Sequence, residues 1–212
     1  MNKVLYIVVS LTVVIVALGG YVVWFLFQIT TNNEGEKVKQ VFAPEVREVL
    51  DLRIVKIENL SADQTLYNEV KRLNKERKEW NVNAIEAFDR RLQGSSDADP
   101  FFSNAVQGPA TEVLRNFRSS HPEFLEIFVT DVYGINVAQT NRTSDYYQAD
   151  EVWWQEAFRG GRGVAYYGEI EFDESAASDA ISLYVPVRDP RTGEAIGIIK
   201  AVLSMGGIIE LL

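Results

Sequence analysis

An α+β fold, with a five-stranded antiparallel sheet following long N-terminal helices and one transmembrane helix, is what this sequence predicts. Three observations predict it. Apolar residues recur at helical spacing between residues 37 and 93, short β-rich runs alternate with turn signals beyond His121, and no charged residue occurs between Lys3 and Glu34.

The amino-terminal stretch comes first. Val4 to Phe27 is almost wholly apolar, and as a helix it is long enough to cross a hydrocarbon core of ~30 Å. A cleaved signal peptide would have an apolar core of only about 7 to 15 residues and a small-residue cleavage site. This run is longer and leads into Tyr21-Val-Val-Trp24-Phe-Leu-Phe27, with Tyr21 and Trp24 suited to the outer interface. Lys3 and the amino terminus precede it, and Glu34 and Glu36 follow it, which orients the amino terminus toward the cytoplasm and residues after 30 outside. The expected organisation is a cytoplasmic tip and membrane helix over 1–30, an extracytoplasmic helical stalk over 31–99, and a globular domain over 100–212. The chain has no cysteine, so a lipoprotein anchor and disulfides are both excluded.

Two helical stretches fill the stalk. Val46, Leu50, Ile54 and Ile57 make one stripe; Leu66, Val70, Leu73, Trp80, Ile85, Phe88 and Leu92 make another. Pro44 suits a first turn, Ser61-Ala-Asp63 offers N-cap chemistry between the two, and Gly94 to Pro100 is turn-rich. The stripes serve packing against the domain or pairing in a homodimer. The basic run Lys71-Arg72-Leu-Asn-Lys75-Glu-Arg77-Lys78 reads as a solvated helix face. A third helix is expected over roughly Phe102 to Arg118, and His121, the one histidine, as a surface residue in the connection to the sheet. Phe124 to Thr130 and Ile135 to Thr140 flank the turn Asp131-Val-Tyr-Gly134 and predict a hairpin. Glu151 to Phe158 reads as a short helix ended by Gly160-Gly161. Three further strands follow at Val164 to Phe172, Ala180 to Val187 and Glu194 to Leu203, the last two joined by a turn at Asp189-Pro-Arg-Thr-Gly193.

Charge is unevenly divided. Residues 28–93 hold 12 basic and 12 acidic side chains, whereas 94–212 hold 8 basic and 18 acidic. So acidic a domain repels phosphate backbones, which argues against nucleic acid as a partner. The chain has no P-loop, G-x-S-x-G or H-E-x-x-H motif, and one histidine with no cysteine leaves little for triads or transition metals. Glu169, Glu171, Asp173, Glu174 and Asp179 are an acidic cluster, but alternation along a strand spreads them apart and no D-x-D-x-D-G loop is present. The expectation is therefore a protein that is not an enzyme and carries no cofactor or metal.

From Asp131-Val-Tyr-Gly134 through Asp145-Tyr-Tyr, Trp153-Trp154-Gln-Glu-Ala157 and Tyr184-Val-Pro-Val-Arg-Asp189 to Glu194-Ala-Ile-Gly197-Ile, the order of motifs resembles a Cache domain. The resemblance covers about a third of the chain. It implies a PAS-like sheet, the extracytoplasmic sensor module of bacterial and archaeal receptors, with a small-molecule ligand held between the sheet and a cover near the Trp153-Trp154 helix. Tyr147, Trp153, Trp154, Arg162, Tyr166, Asp173 and Ser182 are the candidate ligand-binding residues, supplying aromatic walls and a few polar anchors. On strand alternation, Val164, Tyr166, Ile170 and Phe172 share one face, and Tyr167, Glu169, Glu171 and Asp173 the other. The amino-acid-binding branch of this family uses an arginine two residues before the Trp-aromatic pair; here Glu151 stands in its place. The acid expected in the last strand falls near Lys200 to Val202, where none occurs, although Asp173 matches the acid of the middle strand. These departures imply a ligand other than a standard α-amino acid: an amine, an organic acid held through Arg162 or hydroxyls, or none.

Sensors of this family usually continue into a second membrane helix and an output module, yet this sequence ends at Ile208-Ile-Glu-Leu-Leu212. The expectation is a membrane-anchored input domain without its own output, passing its signal to a membrane partner. The competing expectations are a ligand-free scaffold, whose cleft Trp153, Trp154 and Tyr166 would fill, and a solute-binding accessory of a transporter.

Overall fold

Valine, isoleucine and threonine dominate residues 7–31, and side chains branched at Cβ favour extended backbone. The computed structural model of the protein describes residues 7–18, 21–31, 42–173 and 178–212. In the first two of these segments β1 (Ile7–Leu18) and β2 (Tyr21–Thr31) pair antiparallel, with Leu18 opposite Tyr21. A two-stranded sheet thus stands where a membrane helix was expected over 4–27. Among the described residues no helix is long and apolar enough to cross a membrane. A continuous apolar run has no period to separate strand from helix, and Gly19-Gly20 interrupts it with two poor helix formers. The expectations resting on residues 1–6, 19, 20 and 32–41, and on Glu174 to Ala177 of the acidic run, lie outside the described residues, as do those on the Tyr21 and Trp24 side chains.

Caps and breakers set the helices that follow. Pro44 opens α1 (Pro44–Ser61), where its missing N–H costs no helical bond. Asp63 caps α2 (Gln64–Glu76), its carboxylate accepting from the N–H groups of Thr65 at 2.8 Å and Leu66 at 3.0 Å. The stripe from Leu66 to Leu92 is then divided, because Asn81 starts a new helix, α3 (Val82–Gly94), by accepting from the Ala84 N–H at 3.0 Å. The helix expected over Phe102 to Arg118 also divides, into α4 (Pro100–Val106) and α5 (Pro109–Ser120). Pro109 disfavours helical backbone at Gly108. His121, at the end of α5, is half-buried and stacks on Phe117 with ring centroids 4.2 Å apart.

The hairpin forms as expected from β3 (Phe124–Asp131) and β4 (Asn136–Gln139). Gly134 turns the chain at φ 76°, and a Cβ there would fall 2.5 Å from Ala149, so the position needs glycine twice over. The cover helix α6 (Val152–Phe158) runs into a 3-10 turn at Arg159–Gly161, and β5 (Tyr166–Asp173), β6 (Ser178–Arg188), β7 (Ala195–Ser204) and a short α7 (Met205–Ile209) complete the chain. The five strands β3 to β7 make one antiparallel sheet in the order β4-β3-β7-β6-β5, the predicted α+β arrangement.

The chain divides into two compact units, the boundary falling within α1 after Asp51, and residues 52–211 hold both the helices from α2 onward and the five-stranded sheet. One face of that sheet is covered by α2 and α5. Its floor, Ile127, Val129, Ile181, Leu183, Val185, Ile199 and Ala201, is at most 1% exposed. Each of its valine, leucine and isoleucine side chains contributes about 1.5–3 kcal/mol by leaving water. Into this apolar face α2 sends Arg77, whose Nη1 meets Asp131 Oδ2 at 2.6 Å while its guanidinium lies over Trp80 and Phe88. Asp131 Oδ1 also accepts from the N–H groups of Tyr133 and Ile135. Arg77 is therefore buried, a correction to its reading as part of a solvated basic face; Lys71, Arg72 and Lys78 in the same run are exposed.

A second correction concerns β5. Tyr167 pairs with Leu183 but Ile170 with Ile181, so a bulge between them shifts the register by one residue. Tyr166 thereby shares a face with Tyr184, whereas Ile170 and Phe172 fall on the face of Ile181, instead of all three lying together.

Candidate functional site

Cross-strand pairing lines up Phe128 of β3, Lys200 of β7, Tyr184 of β6 and Tyr166 of β5 across the face opposite α2, with Gln139 of β4 beside Phe128. One step along the strands, Glu126, Val202 and Ser182 form the next row. A half-buried lysine thus sits at the centre of the sheet between two aromatic residues.

Helix α6 supplies the cover, and its two tryptophans divide the work. Trp154 is a core residue. It packs with Ala157, Tyr184 and Ile198, and its Nε1 donates to Thr130 Oγ1 at 2.8 Å. Trp153 is half-buried and stacks on Tyr184, with centroids 5.0 Å apart and planes 14° from parallel, while Phe128 meets it edge-on at 6.1 Å. The Tyr166 hydroxyl donates to the Trp153 carbonyl at 2.8 Å, tying edge strand to cover. The Lys200 ammonium lies 5.1 Å from the Trp153 ring centroid and 5.8 Å from that of Phe128, within the range where an aromatic face attracts a cation.

Burial dominates the electrostatics. It pushes the Tyr184 phenol up to about 12, with the nearby Ser182 hydroxyl pulling the other way, and it pushes Tyr166 higher still. It also raises the Asp145 carboxyl, against a hydrogen bond from the Gln148 amide and the positive charge of Lys200. The arrangement therefore offers neutral phenols, an indole face, hydroxyl groups and one cation. Groups of this kind are suited to stacking and hydrogen bonding.

Trp153, Tyr166 and Ser182 converge on this face, joined by Tyr184, and Trp154 stands behind them in the core. Tyr147 is half-buried in the loop before α6, where it bridges Ile135 in an isolated β-pair, with Asp150 and Glu86 as its charged neighbours. Arg162 is exposed at the end of the 3-10 turn, outside the aromatic row. Asp173 pairs through its backbone with Ser178 at the far end of β5, and its side chain lies outside the described residues. Lys200, Phe128 and Tyr184 were not singled out as binding residues. A lone basic residue between Ile198-Ile199 and Ala201-Val202 is the sequence signal that points to the first of them.

A separate concavity of about 450 Å³ opens on the other side of the sheet. Tyr67, Val185, Pro186 and Pro190 wall it, with Glu58, Gln64 and Arg188 as its polar groups. The Arg188 guanidinium is already engaged there by the carbonyls of Gly163 and Gly193.

Neither a protein-family model nor a curated protein matches the chain. Solved structures do. The ligand-binding domain of the Pseudomonas aeruginosa amino acid chemoreceptor PctC, in complex with GABA, is 12% identical with a TM-score of 0.34, the match covering 77% of this chain and 65% of that one. The sensory domain of the Campylobacter jejuni chemoreceptor Tlp3, with isoleucine bound, is 11% identical with a TM-score of 0.38, covering 80% and 66%. The extracellular domain of vpHK1S-Z8 is 12% identical with a TM-score of 0.48, covering 79% and 56%. The match thus spans less than two thirds of the length of each of these chains.

Proposed function

We propose that the protein is a membrane-attached, extracytoplasmic sensor domain that binds a small molecule between α6 and the sheet, at the row formed by Phe128, Lys200 and Tyr184. The single observation that carries this reading is Lys200 itself. A sheet centre built for stability alone takes apolar side chains, as the α2 face of these same strands does, and a half-buried lysine there is a charge for which the packing gives no reason. Around it, Trp153, Tyr184, Tyr166 and Ser182 provide flat apolar surface with hydrogen-bonding tips, the composition of a small-molecule site. Binding would favour one arrangement of α6 on the sheet, and that bias is the signal handed to a partner in the membrane.

Membrane attachment is inferred from the uncharged stretch between Lys3 and Glu34, whose apolar surface is too large to leave in water. Attachment predicts that the chain stays with the membrane fraction through alkaline carbonate and that deletion of residues 2–31 releases it. Release of the full chain by high salt alone would overturn it.

A second reading has its own observation. Trp153 stacks on Tyr184 and its carbonyl accepts from Tyr166, so part of the cleft is occupied by the protein's own rings, as in a scaffold without a ligand. A thermal-unfolding screen of the full chain in mild detergent against carboxylates, amines, sugars and nucleobases separates the two. A ligand at 100 times its Kd stabilises the fold by about 2.7 kcal/mol, and Trp153→Ala should abolish the shift. No shift with any compound class would favour the scaffold.

A further inference from the structure

The geometry points to a second ligand site, the concavity where the corner between α1 and α2 faces the end of β6, and to a small zwitterion with an apolar body as its ligand. It lies on the other side of the sheet from the cleft under α6 and does not depend on that cleft.

A break in the helix layer opens the space. α1 ends at Ser61 and Asp63 caps a new helix at Gln64, so the layer turns a corner there. Facing that corner, Val185 and Pro186, both buried, and Pro190 border a volume of about 450 Å³ that no side chain fills. Small-molecule pockets span roughly 300–1,000 Å³. Two of the walls are proline rings, whose backbone φ is locked, and a third is Tyr67, steadied by Lys71 Nζ donating to its hydroxyl at 2.9 Å. Walls fixed before a ligand arrives lower the cost of binding it.

Two ionisable side chains line the concavity, Glu58 from the last turn of α1 and Arg188 from the end of β6. Arg188 is pinned, with Nη1 donating to the Gly193 carbonyl at 2.9 Å and Nη2 to the Gly163 carbonyl. Both acceptors are neutral, so the charge stays uncancelled and the rest of the guanidinium fork is left for another oxygen. Among the described residues, neither Glu58 nor Arg188 has an oppositely charged group within 4.0 Å, the other included. Beyond the lining, Lys71 and Arg191 share Asp189 as their charged neighbour. An anion alone would leave Glu58 unmatched, and a cation alone would meet Arg188 as a like charge. A molecule carrying both signs matches both walls. Its ammonium falls to Glu58 and to the Gln64 amide oxygen, since Gln64 Nε2 is already given to Asn68. Its carboxylate falls to Arg188, and its apolar body to Tyr67 and the prolines.

The test is calorimetric titration of the full chain in mild detergent with apolar α- and ω-amino carboxylates. Each is matched by its carboxamide, which is only a cation, and its N-acetyl form, which is only an anion. A zwitterion should bind at least tenfold more tightly than both of its capped forms. Glu58→Gln, which removes one charge, and Ala62→Trp, which fills the mouth, should each weaken that binding at least tenfold. Both positions are exposed, so the variants should unfold within a few degrees of the parent. Trp153→Ala, across the sheet, should leave the affinity within twofold. Binding that Trp153→Ala abolishes and Glu58→Gln spares would place the zwitterion under α6 and overturn the second site. Equal affinity for a capped form would overturn the zwitterion, and no binding by any of the series would overturn both.

Discussion

On the face that α2 and α5 cover, the sheet presents Ile127, Val129, Ile199, Ala201 and Leu183, all fully buried, and the charge of Arg77, at the end of α2, meets that of Asp131 at 2.6 Å. On the face that α6 covers, the same three strands present Phe128, Lys200 and Tyr184, with the lysine half-buried and its charge resting against rings. The first face satisfies every requirement of a stable core: apolar floor, close packing, and a buried charge met by an opposite charge and two backbone donors. The second buries Phe128, Trp154, Tyr184 and Ile198 but keeps its central cation half-buried, against aromatic rings and within the field of the Asp145 carboxylate. Two faces of one sheet, built on the same three strands, thus differ in chemistry: one is an apolar floor, the other a row of aromatic rings about a lysine.

The comparison breaks first at the ion pair. Arg77→Ala leaves the Asp131 carboxylate buried without its cation and should cost about 3–5 kcal/mol in urea unfolding. A loss under about 1 kcal/mol would mean that the helical face does not depend on this pair. Next is the pH response of the cover face. Because burial raises the Tyr184 phenol to about 12 from an ordinary value of 10.0, its neutral form is favoured in the folded state. That contribution, about 2–3 kcal/mol, is whole below pH 10 and is lost as the pH rises toward 12. Urea midpoints measured from pH 8 to 11.5 should fall steeply at the alkaline end, and Tyr184→Phe should remove part of the fall. Asp63→Ala, which uncaps α2, should cost about 1 kcal/mol by the same unfolding assay and leave cover-face ligand binding unchanged. Smallest of all is Lys200→Met, expected to change stability by less than about 1 kcal/mol because it removes only ring contacts and a partly desolvated charge. A loss above about 2 kcal/mol would show that Lys200 belongs to the fold and erase the contrast.

Much of this arrangement was legible locally. Asp63 before an apolar stripe, the Asp131 to Gly134 turn between two β-rich runs, and Gly160-Gly161 after the tryptophan helix each carry their structural consequence in a few adjacent residues. What escaped depends on partners far along the chain. Arg77 looks like one more charge in a basic run until Asp131, 54 residues later, is placed beside it. The division of the helices at Asn81 and at Gly108-Pro109 was masked by apolar spacing that continues in phase across each break. The bulge in β5 cannot be seen in β5 alone, since only its pairing with β6 shows that alternation skips a residue. On the α6 face, Trp153 and Tyr166 stand out in the sequence as members of an aromatic-rich stretch, whereas Phe128, Tyr184 and Lys200 come together only once three strands distant in sequence are paired. The β-branched amino-terminal run, with no periodicity to read, is where expectation and structure differ most.

Strand β7 passes between the two faces, with Lys200 facing α6 and its sequence neighbours Ile199 and Ala201 facing the helices. Asn74 of α2 grips this strand near its start, donating to the Ile196 carbonyl at 2.8 Å while accepting from the Val132 N–H at 2.9 Å. The residue that faces the cover and the residues that α2 and α5 bury thus alternate along one strand, and that strand is tied to α2 through a side-chain amide bonded on both of its atoms.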